Sequence, residues 1–288
     1  MSPPLSNEPE IVADPGIDGA GLRACQQVIQ SGDCRSVRYF AEIDSTNSAA
    51  CRDLNGGQCQ DPALLPRLYL ADAQTAGRGR SGRQWLADRG TLTFSLVCAV
   101  DDEQPLSLPA AVLPLVGLAT GVAIARGAEY LAAPVTARIK WPNDVHVGGG
   151  KIAGVLVESV ASRSDRVVVG IGLNVATDLQ RFAEAVHGPA RSLSEIARGP
   201  TERYDWLPEL LSQLRQAYEE LATEPQQLLQ ELRSRCLLTG SEIRYQSGGA
   251  IQRGRCVGID GQGSLLVQSD HTVQALRSGE VWQVRAWS

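Results

Sequence analysis

Short apolar runs rich in β-branched residues recur through the first 175 residues and predict β-strands. Farther along, leucines recur every three or four residues, which is the spacing of one helix face. Ser45-Thr46-Asn47 predicts another helix start, because these side chains cap helix N-termini well. The predicted strands are residues 37–43, 68–73, 91–100, 137–141, 152–159 and 167–175, and the predicted helices are residues 205–222 and 225–235.

The pattern changes after Cys236 to short strands at 242–246, 251–259, 264–268 and 272–284. Glycine-rich turns at 248–249 and 260–263 separate them, and about fifty residues of this kind predict a small barrel. The chain therefore divides into a leader, a large domain and a barrel. These are residues 1–36, partly flexible with one short helix, residues 37–235, and residues 236–288.

The composition is that of a soluble globular protein, with 43% hydrophobic and 20% charged residues among 288. A net charge of -5 and an isoelectric point near 5.3 argue against broad binding to nucleic acid or to a membrane surface. The uncharged stretch 106–125 is long enough to cross a bilayer. It contains Pro109 and Pro114 and lacks a basic flank, so we expect a buried helix.

The seven cysteines form no CxxC pair and are odd in number, which predicts free thiols in a reducing, cytoplasmic setting. The three histidines, His146, His187 and His271, lie far apart without ligand spacing. We therefore expect no dedicated zinc site.

The segment from Gly77 to Arg83 carries the densest candidate chemistry. It matches GxGxxG, and Asp102 follows at the distance a dinucleotide fold would need. That fold also needs a crossover helix, however, and only residues 83–90 separate the segment from the next strand. A hairpin fits better.

The same segment nearly matches a phosphate-binding P-loop, since Gly77 and Gly82 have the right separation. Arg83 and Gln84 stand where that loop needs lysine and a hydroxyl side chain, so the match fails. What remains is a flexible loop with arginines at 78, 80 and 83, which can grip carboxylate or phosphate oxygens. A solvated basic turn is the plain alternative.

The chain has only two lysines, Lys140 and Lys151, and both lie in one segment of twelve residues beside Trp141-Pro142-Asn143-Asp144. We expect a hairpin that brings the two ammonium groups together around an anion. Two surface lysines flanking the glycine turn 148–150 would explain this segment equally well.

Two glycines, Gly170 and Gly172, alternate near the end of a predicted strand that closes with Asn174. They leave one strand face bare, so that a flat ring can lie against the backbone. Close packing between protein segments is an equal explanation of the pair.

Taken together, these segments resemble the biotin–protein ligase family in order and spacing, strongly over residues 42–200 and more loosely beyond. The resemblance implies an α+β fold: a class II synthetase-like catalytic domain with a mixed sheet flanked by helices, then an SH3-like barrel. It implies ATP-dependent activation of biotin to biotinoyl-5′-AMP, and transfer to a lysine of a biotin carboxyl carrier protein.

The resemblance also implies roles for individual residues, with Lys151 and Arg80 as the catalytic groups. Biotin would be bound by Ser45, Thr46, Asn47, Gln74, Arg78, Gly79, Arg80, Lys151 and Gly154. The nucleotide would be bound by Arg78, Arg80, Arg83, Trp85, Lys140, Asn143, Asp144 and Asn174, with Mg²⁺ accompanying ATP and Asp144 able to help place it.

Two other functions are weighed against this one: a lipoate–protein ligase, and a non-catalytic regulator that senses an adenylate. About forty residues, acidic on balance, precede the Ser-Thr-Asn motif, too few for a DNA-binding domain with its linker, so we expect no DNA binding. Transfer is expected in trans, because the one methionine is Met1 and the carriers of this family place their target lysine between methionines. A homodimer through a sheet edge is left open.

Overall fold

A computed structural model describes residues 10–59, 61–100, 107–184, 188–196, 198–247, 250–270, 272–279 and 281–283. Asp102, His187, His271, the 248–249 turn and residues 106 and 284 of the predicted elements lie outside these ranges. The described residues form two sheets and six α-helices. The helices are α1 (Gly19–Gln30), α2 (Thr46–Asn55), α3 (Val116–Leu131), α4 (Leu193–Ile196), α5 (Leu207–Thr223) and α6 (Pro225–Arg235).

The larger sheet has eight strands in the order β1-β2-β3-β4-β8-β7-β6-β5. Pairing is parallel from β1 to β3 and antiparallel from there on, so the sheet is mixed, as expected. Its strands are β1 (Glu10–Ala13), β2 (Ser36–Ile43), β3 (Arg67–Gln74), β4 (Thr91–Ala99), β5 (Arg138–Lys140), β6 (Asp144–Val147), β7 (Gly150–Val160) and β8 (Arg163–Asn174).

Helices cover both faces of this sheet because its central strands are apolar on both sides. In β3, Leu68 and Leu70 face the core that contains α1, α3, α5 and α6. Tyr69 and Ala71 point the other way, into a smaller core with α2. Ser45 caps α2 by accepting a hydrogen bond from the Ser48 amide, which confirms the predicted helix start.

The long apolar stretch is a core element. Residues Ala110–Leu131 form the one described helical segment that is long and apolar enough to cross a membrane, and 61% of its most apolar window is buried. Within it, α3 packs against β7 on one side and α5 on the other. The predicted buried helix is therefore what the structure contains.

The described part of the predicted leader contains β1 and α1. β1 adds a parallel edge strand beside β2. α1 is the predicted short helix, and its buried face, which includes Cys25 and Val28, packs against α5.

The second sheet is antiparallel throughout, in the order β12-β11-β10-β9-β13, and forms the SH3-like C-terminal part. One expectation was wrong: residues 272–284 do not form a single strand. β12 pairs with β11 at one edge and β13 with β9 at the other, and one straight strand cannot reach both edges. The strands are β9 (Glu242–Ser247), β10 (Ala250–Ile259), β11 (Leu265–Ser269), β12 (Thr272–Leu276) and β13 (Val281–Gln283).

Two hydrogen bonds join the large domain to the C-terminal part. The division between them at residue 236 stays a prediction. The buried Trp141 indole donates to the carbonyl of Gly263 at 2.9 Å. The Arg233 guanidinium donates to the carbonyl of Ile259 at 2.8 Å. The smaller sheet is therefore packed against the loop that joins β5 and β6.

Candidate active site

A cleft that opens to solvent and has a cavity volume of about 140 Å³ lies over β7 and β8. Its wall contains every residue that the resemblance assigns to biotin or nucleotide, except Asn174. The sequence reading did not assign Ser81, Gln84, Trp141, Pro142, Val155, Leu156, Gly170, Ile171, Gly172, Gly279 and Val281, which also line it. Val281 is in β13 of the second sheet, Gly279 lies between β12 and β13, and no sequence motif marks either residue.

The glycine-arginine segment is a small hairpin, as predicted, between the antiparallel strands β3 and β4. Its backbone is bonded from Trp85 N to Gly77 O at 2.9 Å and from Gly79 N to Arg83 O at 2.7 Å. Gly82 sits at its tip with φ +74°, a conformation that favours glycine. We call residues 77–85 the arginine hairpin.

The arginines of this hairpin reach polar groups on β7, on α2 and on the β5–β6 loop. An Arg78 nitrogen, Nη2, lies 2.6 Å from Glu158 Oε1, and its Nη1 lies 3.4 Å from Ser48 Oγ. Arg80 Nη1 donates to Asn143 Oδ1 at 3.5 Å, which connects the hairpin to the β5–β6 loop. The Gly-Arg motif and the Lys-Trp-Pro-Asn-Asp motif therefore meet in space.

The inner end of the cleft is polar and internally bonded. Gln74 Oε1 accepts from both the amide (2.8 Å) and the hydroxyl (3.2 Å) of Thr46. Ser95 Oγ lies 2.7 Å from the hydroxyl oxygen of Thr46 and 2.5 Å from Asn47 Oδ1, so its single proton is shared between these two acceptors. Ser45, Thr46 and Asn47 are all buried, so their orientations are fixed before any ligand arrives.

The predicted hairpin between the two lysines was wrong in its connectivity. A further strand, β6, lies between them, so that Lys140 pairs with Asp144 while Lys151 pairs with His146. Sequence reasoning missed this strand because it has only four residues. The lysines still face one cleft, and the anion beside them is the protein's own: Lys151 Nζ lies 2.6 Å from Asp144 Oδ1.

Burial lowers the pKa of Lys140, and the nearby positive charges of Lys151 and Arg83 lower it further, against the opposite effect of Asp144. A cation cluster of this kind gains most when an anionic ligand enters. Lys151 also lies 5.3 Å from the centre of the Trp85 ring, a distance suited to a cation–π contact.

The bare strand face predicted at Gly170 and Gly172 is present, and the flat ring against it is the chain's own indole. A Cβ at Gly172 would overlap the Trp85 ring, and one at Gly154 would lie 3.1 Å from it. The Trp85 Nε1 is buried and has no hydrogen-bond partner among the described residues. A Cβ at Gly170 would overlap the Asn47 amide.

Asn174 does not line the cleft. It is buried at the end of β8, where its amide donates to the carbonyl of Arg191 at 3.3 Å and its Oδ1 accepts from Thr177. The segment around Arg191 also pairs with Lys151 through backbone hydrogen bonds of 2.9 Å, from Lys151 N to Pro189 O and from Arg191 N to Lys151 O. Asn174 is therefore close to the site without reaching it.

His146 is a titratable residue that the sequence reading left unused. It is 8% exposed, and its Nε2 has no partner among the described residues. Burial lowers its pKa from 6.5 to about 4; Asp144 opposes this shift, and Lys140 and Lys151 add to it. His146 is therefore neutral at pH 7.

Between pH 6.5 and pH 4, His146 is protonated in the unfolded chain and neutral in the folded protein. We therefore expect acidification over this range to destabilise the fold. This one residue should cost up to about 3 kcal/mol of unfolding free energy. Urea unfolding at several pH values would measure the loss. His146→Gln, which cannot take up the proton, should flatten the dependence; an unchanged slope in that variant would contradict the assignment.

Comparison with known proteins identifies the family to which this chain belongs. Residues 39–174 match the family model described as the biotin/lipoate A/B protein ligase family. A Mycobacterium tuberculosis protein, a biotin–[acetyl-CoA-carboxylase] ligase, is 32% identical over 276 residues, which cover 94% of this chain and 97% of that protein. The chain belongs to the biotin–protein ligase family.

A second relative of the ligase family, the bifunctional ligase/repressor BirA of Bacillus subtilis, is 32% identical over 220 residues. That match covers 74% of this chain but only 65% of the relative. The solved Aquifex aeolicus biotin protein ligase in complex with biotin and ATP superposes with a TM-score of 0.70 at 24% identity, covering 87% of this chain and 99% of the other. The two therefore share a fold.

Proposed function

We propose that this chain is a biotin–protein ligase, which joins biotin and ATP into biotinoyl-5′-AMP and pyrophosphate. It then passes the biotinoyl group to the lysine amine of a biotin carboxyl carrier protein, with release of AMP. One observation carries the proposal: the cations at positions 78, 80, 83, 140 and 151 converge on a single cleft. Relatives whose names state biotin–protein ligation support it.

The cations answer a definite chemical need. The biotin carboxylate must attack the α-phosphorus of ATP. The carboxylate and the phosphate are both anions, so they repel each other as they approach. We assign to Lys151 the oxygens on which negative charge grows during the attack, since its ammonium lies at the cleft wall. Arg80 is assigned to the same phosphate from the opposite side, on the arginine hairpin.

The polar inner end of the cleft suits the uncharged head group of biotin. Ser45, Thr46 and Gln74 offer hydroxyl and amide groups held in place by hydrogen bonds to one another or to the backbone at the start of α2. Gly154 and Gly172 leave room for the Trp85 ring against the sheet. Trp85 covers this end, so its indole shields the mixed anhydride from water in our proposal.

Mg²⁺ enters the proposal with the nucleotide. Among the described residues no group of three or more His, Cys, Asp or Glu side chains could hold a metal by itself. Asp144 is the one carboxylate on the described cleft wall. A single carboxylate fits a Mg²⁺ ion that keeps water and phosphate oxygens as its other ligands.

Pyrophosphate exchange tests this function against its closest rival. Labelled pyrophosphate should enter ATP when biotin is present, and should not enter when lipoate replaces it. A carrier-protein fragment added afterwards should gain the mass of one biotinoyl group. Exchange with lipoate alone would establish the lipoate ligase instead, and exchange with neither acid would refute both.

The proposal has three further parts, which concern the cell compartment, DNA binding and oligomeric state. All seven cysteines are free thiols, which agrees with the reducing cytoplasm where we place the protein. The absence of DNA binding stays a prediction, which a gel-shift assay at physiological salt can test. The edges of the larger sheet, β1 and β5, are the surfaces through which a homodimer would form.

A further inference from the structure

We propose that Glu158 is a positioning residue for biotin activation: its carboxylate holds Arg78, and through Arg78 the base of the arginine hairpin, against the sheet. This inference rests on the proposed function. It adds a residue that does not line the cleft and that none of the motif assignments includes. Glu158 therefore acts through Arg78 and not on a substrate.

The arginine hairpin behaves as one unit because its own backbone is bonded. The bonds between Gly77 and Trp85 and between Gly79 and Arg83 close it on itself. Its position over the cleft therefore depends on how its base is attached to the rest of the protein. Arg78 stands at that base, opposite Gln84 in the hairpin ladder.

The attachment is a charged hydrogen bond with a fixed acceptor. Arg78 Nη2 lies 2.6 Å from Glu158 Oε1, within the range of short charge-assisted bonds. The other carboxylate oxygen, Oε2, accepts from Asn47 Nδ2 at 2.8 Å. The two oxygens thus have different partners, and the carboxylate cannot rotate without losing one of them.

Asn47 is itself buried and hydrogen-bonded at both ends of its amide. It is 3% exposed, its Nδ2 also donates to the carbonyl of Leu156, and its Oδ1 accepts from Ser95. Gly170 provides the space for this amide, since a Cβ there would overlap it. A continuous series of contacts therefore runs from the centre of the sheet through Asn47 and Glu158 to Arg78.

This series gives Asn47 a role different from the direct contact with biotin that the resemblance implies. Its donor group faces Glu158 and Leu156, and its acceptor faces Ser95. Thr46 and Asn47 are adjacent in the motif but have different roles. Thr46 belongs to the polar inner end of the cleft, and Asn47 fixes the support of the hairpin.

The side chain of Arg78 is 45% exposed and that of Glu158 is 21% exposed, so water weakens the pair without removing it. We expect Glu158→Gln to raise the KM for biotin in pyrophosphate exchange by about tenfold and to change kcat by less than about twofold. Trypsin should also cleave faster after Arg80 and Arg83, because the hairpin is held less firmly. Glu158→Asp, which shortens the carboxylate by one carbon, should give an intermediate KM.

A double-variant cycle separates positioning through Arg78 from any other effect. If Glu158 acts through Arg78, Glu158→Gln should have no further effect in an Arg78→Gln background. An equal loss in both backgrounds would overturn the proposal. So would an unchanged KM with unchanged cleavage, or a loss confined to kcat.

Asp165→Asn is the matched control. It removes a carboxylate from β8 whose partners are Arg163 and Arg166, away from the cleft, and it should leave KM and hairpin cleavage unchanged. The cleavage assay needs no substrate. If wild-type protein shows no biotin-dependent exchange, the proposed function fails while the cleavage rates still decide whether Glu158 holds the hairpin.

Discussion

Lys151→Ala is expected to slow formation of the adenylate by about 100- to 1000-fold, the usual loss when one donor to a developing negative charge is removed. Biotin binding should weaken by less than about tenfold, because the polar inner end of the cleft is intact. The ammonium of Lys151 stands at the cleft wall with Asp144 2.6 Å away. Single-turnover adenylation and equilibrium binding, measured side by side, separate the two effects.

The carboxylate of Asp144 contributes to this loss. Once Lys151 is removed, Asp144 has lost its 2.6 Å partner and faces the incoming phosphate as a negative charge. Equal losses of binding and adenylation in the single variant would contradict the assigned role.

Arg138→Ala is the matched control for Lys151→Ala. Arg138 lies on β5, two residues from Lys140, but its side chain donates to the carbonyl of Ser234 and does not line the cleft. Removing it should leave adenylation unchanged. A loss comparable to that of Lys151→Ala would mean that general positive charge, and not the placement of one ammonium, drives the reaction.

Replacing Gly170 by alanine is expected to lower mainly the stability of the fold, and replacing Gly172 by alanine to lower mainly the affinity for biotin. Gly170→Ala should lower the free energy of unfolding by about 1–3 kcal/mol, the typical cost of overpacking. Its new methyl group would meet the amide of Asn47, which is buried and bonded on both sides. Thermal or urea unfolding would measure the change.

Gly172→Ala should act mainly on the site. Its methyl group would meet the indole of Trp85, which belongs to the arginine hairpin and can shift with it. We therefore expect a loss of stability below about 1 kcal/mol, and a biotin affinity at least about tenfold weaker. Isothermal titration would show it. Equal effects of the two variants on stability would contradict this division.

Gly117→Ala provides the reference for both variants. This glycine lies in α3, and the nearest atom to an added Cβ is a methyl carbon of Val157 at 3.4 Å. Alanine favours a helix over glycine by about 1 kcal/mol. The change should therefore be neutral or stabilising, and biotin affinity should not move.

Trp85 illustrates how far the sequence could go toward the site. Strand glycines at alternating positions predicted a face open to a flat ring, because glycine has no Cβ to occupy it. They could not say which ring. The indole reaches that face only because the arginine hairpin folds back over the sheet. No local sequence pattern encodes this contact between distant segments.

Asn47 and Glu158 mark the limit of motif reading. Adjacent residues of one motif suggest one shared ligand, yet Asn47 turns toward Glu158, 111 positions away in the chain. The direction of a side chain at a helix start depends on which strand passes beside it. That neighbour is set by strand order, not by spacing along the chain.

By itself the sequence predicted most of the strands and helices, the small barrel and the set of cations, because apolar periodicity and glycine spacing are local properties of the chain. The mixed sheet flanked by helices followed from the resemblance to a family, which rests on the order of the motifs. Tertiary structure decided the rest. The order β4-β8-β7-β6 brought β6 between the two lysines, set Asp144 beside Lys151 and placed Gly279 and Val281 at the cleft. These are contacts between distant segments, and only packing selects them.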